Sequence, residues 1–116
     1  MTSRDPTPSA SAVAALSALA HAGRLEVFWR LVQTGPGGLA AGEIARATGS
    51  LPNTLSANLA ILAGAGLVRS RREGRSIIYA ADFAAMRGLL SYLMEDCCDG
   101  RPEICADLST ACAPAP

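Results

Sequence analysis

The chain has 116 residues, enough for one domain with a core and too few for two catalytic lobes. Half of it is apolar yet only 4% is aromatic, so Leu, Ile, Val and Ala must fill the core; there are 23 alanines, and all ten basic residues are arginine. The net charge of zero hides an asymmetry: residues 1–87 hold nine arginines against five acids, whereas residues 88–116 hold Arg101 against Glu95, Asp96, Asp99, Glu103 and Asp107. The first portion can meet a polyanion and the acidic remainder cannot. No apolar run approaches the roughly 18 residues a membrane span needs, and the polar, Pro-rich stretch Met1–Ser11 lacks the pattern of a secretory signal. A soluble, cytoplasmic protein is expected.

Residues 1–10 are rich in Ser, Thr and Pro and are expected to form a disordered tail. From Ser11 the apolar residues fall at helical spacing: Val13, Leu16, Leu19 and Ala20, then Leu25, Phe28, Leu31 and Val32, with Gly23 marking a bend or break between two helices. Gly35-Pro36-Gly37-Gly38 ends that segment. Ala41–Thr48 is predicted to be a short helix with Ile44 and Ala45 inward and Gly49 as its cap. Pro52 suits the first turn of the next helix, whose apolar face is Leu55, Leu59 and Leu62. Two helices about a tight glycine turn make a helix-turn-helix. The period then changes. Leu67–Arg72 and Arg75–Tyr79 are strand-like, joined by Glu73-Gly74 as a tight hairpin. A last helix starts near Asp82, with Phe83, Met86, Leu89, Leu90, Leu93, Met94 and Cys97 along one stripe. The expected fold is α+β and mainly helical, a winged helix-turn-helix with a two-stranded hairpin wing. The domain is expected over residues 11–97, followed by a Cys-rich segment at 98–116.

Four stretches, in this order and spacing, resemble the ArsR family of metalloregulatory repressors: Leu19-Ala20-His21-Ala22-Gly23-Arg24-Leu25, Leu55-Ser56-Ala57-Asn58-Leu59-Ala60-Ile61-Leu62, Ala65-Gly66-Leu67-Val68 and Arg71-Arg72-Glu73-Gly74-Arg75. The resemblance runs from about Leu16 to Leu93. It implies a homodimer formed through the first and last helices, and an apo repressor that leaves double-stranded operator DNA when an inducer binds. Departures are as informative. The Cys-x-Cys pair that many arsenic-responsive members carry on the first helix of the helix-turn-helix is replaced by Ala40 and Gly42. His21 stands where Asp is common and Asn58 where His is common, and no His-rich set suits the zinc site other members carry on the last helix. A Cys-Cys pair with a third Cys just beyond the last helix is similar instead to another subgroup.

Reading bases in the major groove needs side chains with donors and acceptors near the start of the recognition helix. Asn53, Thr54, Ser56 and Asn58 fit, the alternative being that Asn53 or Thr54 caps the helix and the others are merely solvated. In the hairpin, Arg69, Arg71, Arg72 and Arg75 surround Glu73, and a wing beside a recognition helix directs arginines at phosphates or the minor groove. Alternation puts Arg69 and Arg71 on one face and Arg72 on the other, so Arg72 and Arg75, closest to the turn, are the expected contacts. Arg24 is left open between packing and the DNA face.

All four cysteines, Cys97, Cys98, Cys105 and Cys112, lie in the acidic tail. In a reducing cytosol such clustering favours a metal or redox site over a disulfide framework. Cys97 continues the apolar stripe and alone reads as buried and inert; Cys98 is adjacent and must point elsewhere. Asp99-Gly100-Arg101-Pro102 breaks the helix and lets Cys105 approach the pair. Three sulfurs suit trivalent arsenic, whose lone pair fills the remaining direction, whereas tetrahedral zinc wants a fourth ligand that only Cys112 offers. The surrounding acids disfavour free thiolate, which tilts the reading from a redox sensor to arsenite, a neutral hydroxide that exchanges with thiols. The expected function is an arsenite-responsive repressor with As(III), and by the same chemistry Sb(III), held by Cys97, Cys98 and Cys105. Two alternatives stay open: a repressor switched by a disulfide or persulfide at Cys98 and Cys105, and a thiol-rich metal-binding module. An enzyme is not expected, since the single histidine, His21, is remote from every cysteine in sequence and no Gly-rich phosphate loop follows a strand.

Overall fold

The computed structural model describes residues 8–95. Five helices and three short strands follow in the order α1 (Pro8–Leu19), α2 (Ala22–Thr34), β1 (Leu39–Ala40), α3 (Ala41–Thr48), α4 (Pro52–Gly64), β2 (Val68–Glu73), β3 (Ser76–Ala81) and α5 (Phe83–Glu95). Helix α1 starts at Pro8, so the expected tail loses its last three residues to a helix whose first position tolerates proline because its missing N–H is not needed there.

The first helical break falls at Ala20-His21 rather than at Gly23. His21 is extended (φ −155°, ψ 126°) and its Nδ1 accepts from the backbone N–H of Gly23 and Arg24 at 3.2 and 3.4 Å, so a histidine caps α2. Arg24 then reaches back: its Nε donates to the Ala18 carbonyl at 2.6 Å, and Nη2 lies 3.5 Å from the Ser17 carbonyl. The open question about Arg24 is answered in favour of packing, since its guanidinium binds carbonyls in the last turn of α1, where intrahelical donors run out.

The core joins all five helices. Val27, Phe28 and Leu31 of α2, Ile44 of α3, and Leu55, Leu59 and Leu62 of α4 are buried together with Leu67, Val68 and Ala81. Phe83, Met86 and Leu89 of α5 pack partly buried against them. Of the apolar stripe expected for α1, Leu19 packs partly buried against the core but Val13 and Leu16 do not. Ala12, Ala15 and Ala18 face inward, while Val13 is 63% and Leu16 43% exposed. Small side chains let α1 lie close to its neighbours, and the larger ones are left outside. Leu25 and Leu90 likewise turn outward instead of joining the core.

The expected two-stranded hairpin wing is β2–β3, and the short β1 adds a third antiparallel strand to its β3 edge, giving the order β1-β3-β2. Strand β1 pairs Leu39 with Tyr79 and Ala40 with Ile78. Gly38 (φ +74°) makes this approach feasible, because a Cβ there would collide with the Tyr79 carbonyl oxygen. In the hairpin Glu73 pairs with Ser76, so the two-residue turn is Gly74-Arg75, one residue later than expected. Gly74 adopts φ +62°, the conformation a tight turn demands and glycine supplies. Arg75 is thereby at the tip of the wing and not in a strand.

Candidate nucleic-acid interface

The helix-turn-helix is formed by α3, Gly49–Leu51 and α4. Gly49 is left-handed (φ 70°), and its N–H donates to the Ala45 carbonyl. Thr48 Oγ1 donates to the Ile44 carbonyl at 2.9 Å and lies 2.7 Å from Ser50 Oγ, while the Ser50 N–H reaches the Ala45 carbonyl at 3.2 Å. The Gly49 and Ser50 N–H groups and the Ser50 hydroxyl are thus tied to the end of α3, which fixes the start of the turn from which α4 leaves. Leu55 and Leu59 anchor the inner face of α4.

Its outer face is open. Asn53, Thr54 and Ser56 are exposed, and their side chains make no hydrogen bond among the described residues. The capping alternative for Asn53 and Thr54 falls away, because the cap is Leu51 and no side chain bonds there. These three side chains have their donors and acceptors free at the start of the recognition helix.

Asn58 is a correction. It is only 5% exposed, the one buried polar residue among those described, and it lies on the inner face with Leu55, Leu59 and Leu62. Its Nδ2 would be 3.2 Å from a Cβ placed on Gly23, and the His21 ring would be equally near that point. Three residues after Leu55, the position turns under the α1–α2 corner instead of out to a groove. The two departures from the family pattern, His21 and Asn58, therefore meet on either side of Gly23. Sequence spacing put Asn58 beside Thr54, and nothing local announced that the corner would cover it.

In the wing, Arg71 Nε donates to Glu73 Oε2 at 2.8 Å and its Nη2 to the Gly37 carbonyl at 2.9 Å. Arg71 is therefore a strut between the hairpin and the loop before β1. Glu73 two residues along the same strand face is the signal that could have revealed it. Arg72 and Arg75 are exposed and have no ion pair among the described residues, so their charges are free to meet phosphate. Eight arginines against five acids give the described residues a positive balance.

Among the described residues no group of three His, Cys, Asp or Glu side chains is placed to hold a metal ion. Cys97, Cys98, Cys105 and Cys112 lie outside the described residues. No described helix is long and apolar enough to cross a membrane.

A helix-turn-helix packed beside an antiparallel hairpin wing, with free polar groups on one and free arginines on the other, defines a winged-helix transcriptional regulator. Residues 19–71 match the model of a helix-turn-helix domain family. The chain is 32% identical over 87 residues to the HTH-type transcriptional regulator YgaV of Escherichia coli, covering 75% of this chain and 86% of that one. Among solved structures it is similar to an ArsR-like transcriptional regulator from Rhodococcus sp. RHA1 (TM-score 0.70, 23% identity, 89% of this chain and 94% of that chain), a likeness of fold. It is also similar to the Mycobacterium bovis domain Mb0332, a homodimeric winged helix-turn-helix DNA-binding domain (TM-score 0.60, 33% identity, 83% and 91% of the two chains). The chain belongs to the ArsR family of winged-helix transcriptional regulators.

Proposed function

We propose that this regulator is an arsenite-responsive repressor, bound to operator DNA as an apo homodimer and released when As(III) is captured by Cys97, Cys98 and Cys105. The observation that carries the DNA-binding half is the pairing of an unbonded Asn53-Thr54-Ser56 edge with the unpaired Arg72 and Arg75 of the wing. Polar edges discriminate bases and arginines hold phosphate, the two contributions a sequence-specific complex needs.

Self-association is supported by where apolar surface is left uncovered. Of nine large hydrophobic side chains exposed among the described residues, Val13 and Leu16 of α1 and Leu90, Tyr92 and Leu93 of α5 make five. The homodimeric Mb0332 domain supports the same reading. A twofold dimer sets its two recognition helices about 34–36 Å apart, one turn of DNA, so a small rearrangement at α1 and α5 spoils the fit to both half-sites at once.

The inducer reading rests on thiol chemistry. Arsenous acid exchanges three hydroxyls for three thiols: three S–As bonds form, three As–O bonds break, and the thiol protons leave in three waters with no change of oxidation state. Joining Cys105 to Cys97 and Cys98, which follow α5 closely in sequence, would couple the ion to the dimer seam. Coupling is typically about 1–3 kcal/mol per ligand, so two ions lower operator affinity roughly 25- to 20,000-fold.

The test is operator-binding anisotropy with added arsenite under reducing conditions for each single Cys→Ser variant. Cys97→Ser, Cys98→Ser and Cys105→Ser bind operator normally and resist release, whereas Cys112→Ser releases like the native chain. Antimonite acts as arsenite does. Release of the native chain by a mild oxidant or persulfide but not by arsenite would assign the switch to thiol oxidation. Loss of response in Cys112→Ser would overturn the ligand set.

A further inference from the structure

Leu51 is the most exposed large apolar side chain among the described residues, at 72%. It occupies the N-cap of α4, where Ser, Thr, Asp or Asn ordinarily accepts a bond from the first turn, and no side chain makes that bond here. Its backbone carbonyl does start the helix, accepting the Leu55 N–H at 2.9 Å. The side chain itself neither caps nor packs into the core. A single exposed leucine is ordinary on a protein surface. This one sits in a run of four exposed residues, Leu51-Pro52-Asn53-Thr54, leading into the helix that carries the free polar edge.

This step rests on the DNA-binding reading above and deepens it. The N-terminal residues of a recognition helix are those that meet base edges in the major groove. Asn53, Thr54 and Ser56 bring donors and acceptors to that edge; Leu51 brings only apolar surface. Of the groups that the four bases present there, one is apolar, the C5-methyl of thymine. We propose that Leu51 reads a thymine methyl at one position of each half-site, and that a capping hydroxyl or carboxylate is absent because the position serves recognition. Removing one buried methyl changes an equilibrium constant about fourfold, so loss at both half-sites amounts to roughly 15-fold.

The experiment selects binding sites from a random-sequence DNA duplex library with the native chain. Each thymine of the selected duplex is then replaced by deoxyuridine, which keeps the base pair and removes only the methyl. Affinities are measured for the native chain, Leu51→Ala and Leu51→Ser. One thymine per half-site is expected to be methyl-sensitive for the native chain, by about fourfold, and insensitive for both variants. Leu51→Ser regains a cap and melts roughly 4–8 °C higher while losing the same sensitivity, which separates recognition from folding. Absence of any methyl-sensitive thymine overturns the inference and leaves DNA binding standing. Persistence of the sensitivity in Leu51→Ala also overturns it, because another side chain then reads the methyl. Failure to enrich any duplex overturns the DNA-binding reading, and this inference with it.

Discussion

Removing a wing arginine tests the DNA-binding surface most directly, because position in the structure separates arginines that adjacency in sequence does not. Arg72→Ala in a dimer deletes two charges that have no ion pair among the described residues. Each phosphate contact contributes about 0.9 to the slope of log affinity against log salt, so the variant is flatter by about 1.8. Between 50 and 200 mM salt that difference amounts to roughly 12-fold: the native chain loses about 12-fold more affinity than the variant. Arg75→Ala behaves alike. Arg71→Ala is the internal control, since its guanidinium is held by Glu73 at 2.8 Å and by the Gly37 carbonyl at 2.9 Å. It loosens the wing, at a cost under about 1 kcal/mol for so exposed an ion pair, and changes the slope much less. The assay is fluorescence anisotropy on operator and on unrelated duplex across a salt series, and both DNAs should respond equally. An unchanged slope for Arg72→Ala and Arg75→Ala, or an equal flattening for Arg71→Ala, would refute the assignment. A change confined to sequence preference would show that these arginines read bases instead of phosphate.

Asn58→Ala is expected to cost about 1–2 kcal/mol of stability by emptying a buried site under the α1–α2 corner, and to weaken operator and random DNA only in step with unfolding. An unchanged melting temperature with selective loss of operator would restore Asn58 as a base reader. His21→Ala removes the α2 cap and lowers stability by about 1 kcal/mol, whereas His21→Asp keeps an acceptor at a favourable helix end and melts at or above the native temperature. Equal melting of the His21→Ala variant and the native chain would show that the cap contributes nothing.

Features governed by local conformational preference were legible in the amino-acid order alone. Gly49 and Pro52 mark the turn of the helix-turn-helix because one accepts a left-handed backbone and the other begins a helix without needing its N–H. Gly74 amid arginine-rich, β-branched strands announces the wing, and the turn shifts by a single residue. Tertiary contact decided the rest. Helical spacing states that α1 has faces but not which one is covered, and the close approach of its neighbours selected Ala12, Ala15 and Ala18 over Val13 and Leu16. Strand β1 is two residues long and exists only because β3 offers it hydrogen bonds across the gap that Gly38 leaves. Asn58 belongs to the recognition helix by sequence and to the interior by packing, since the α1–α2 corner, more than thirty residues earlier, closes over it. Periodicity specifies a residue's angle around its own helix, and only the neighbouring elements determine whether that angle meets protein or solvent.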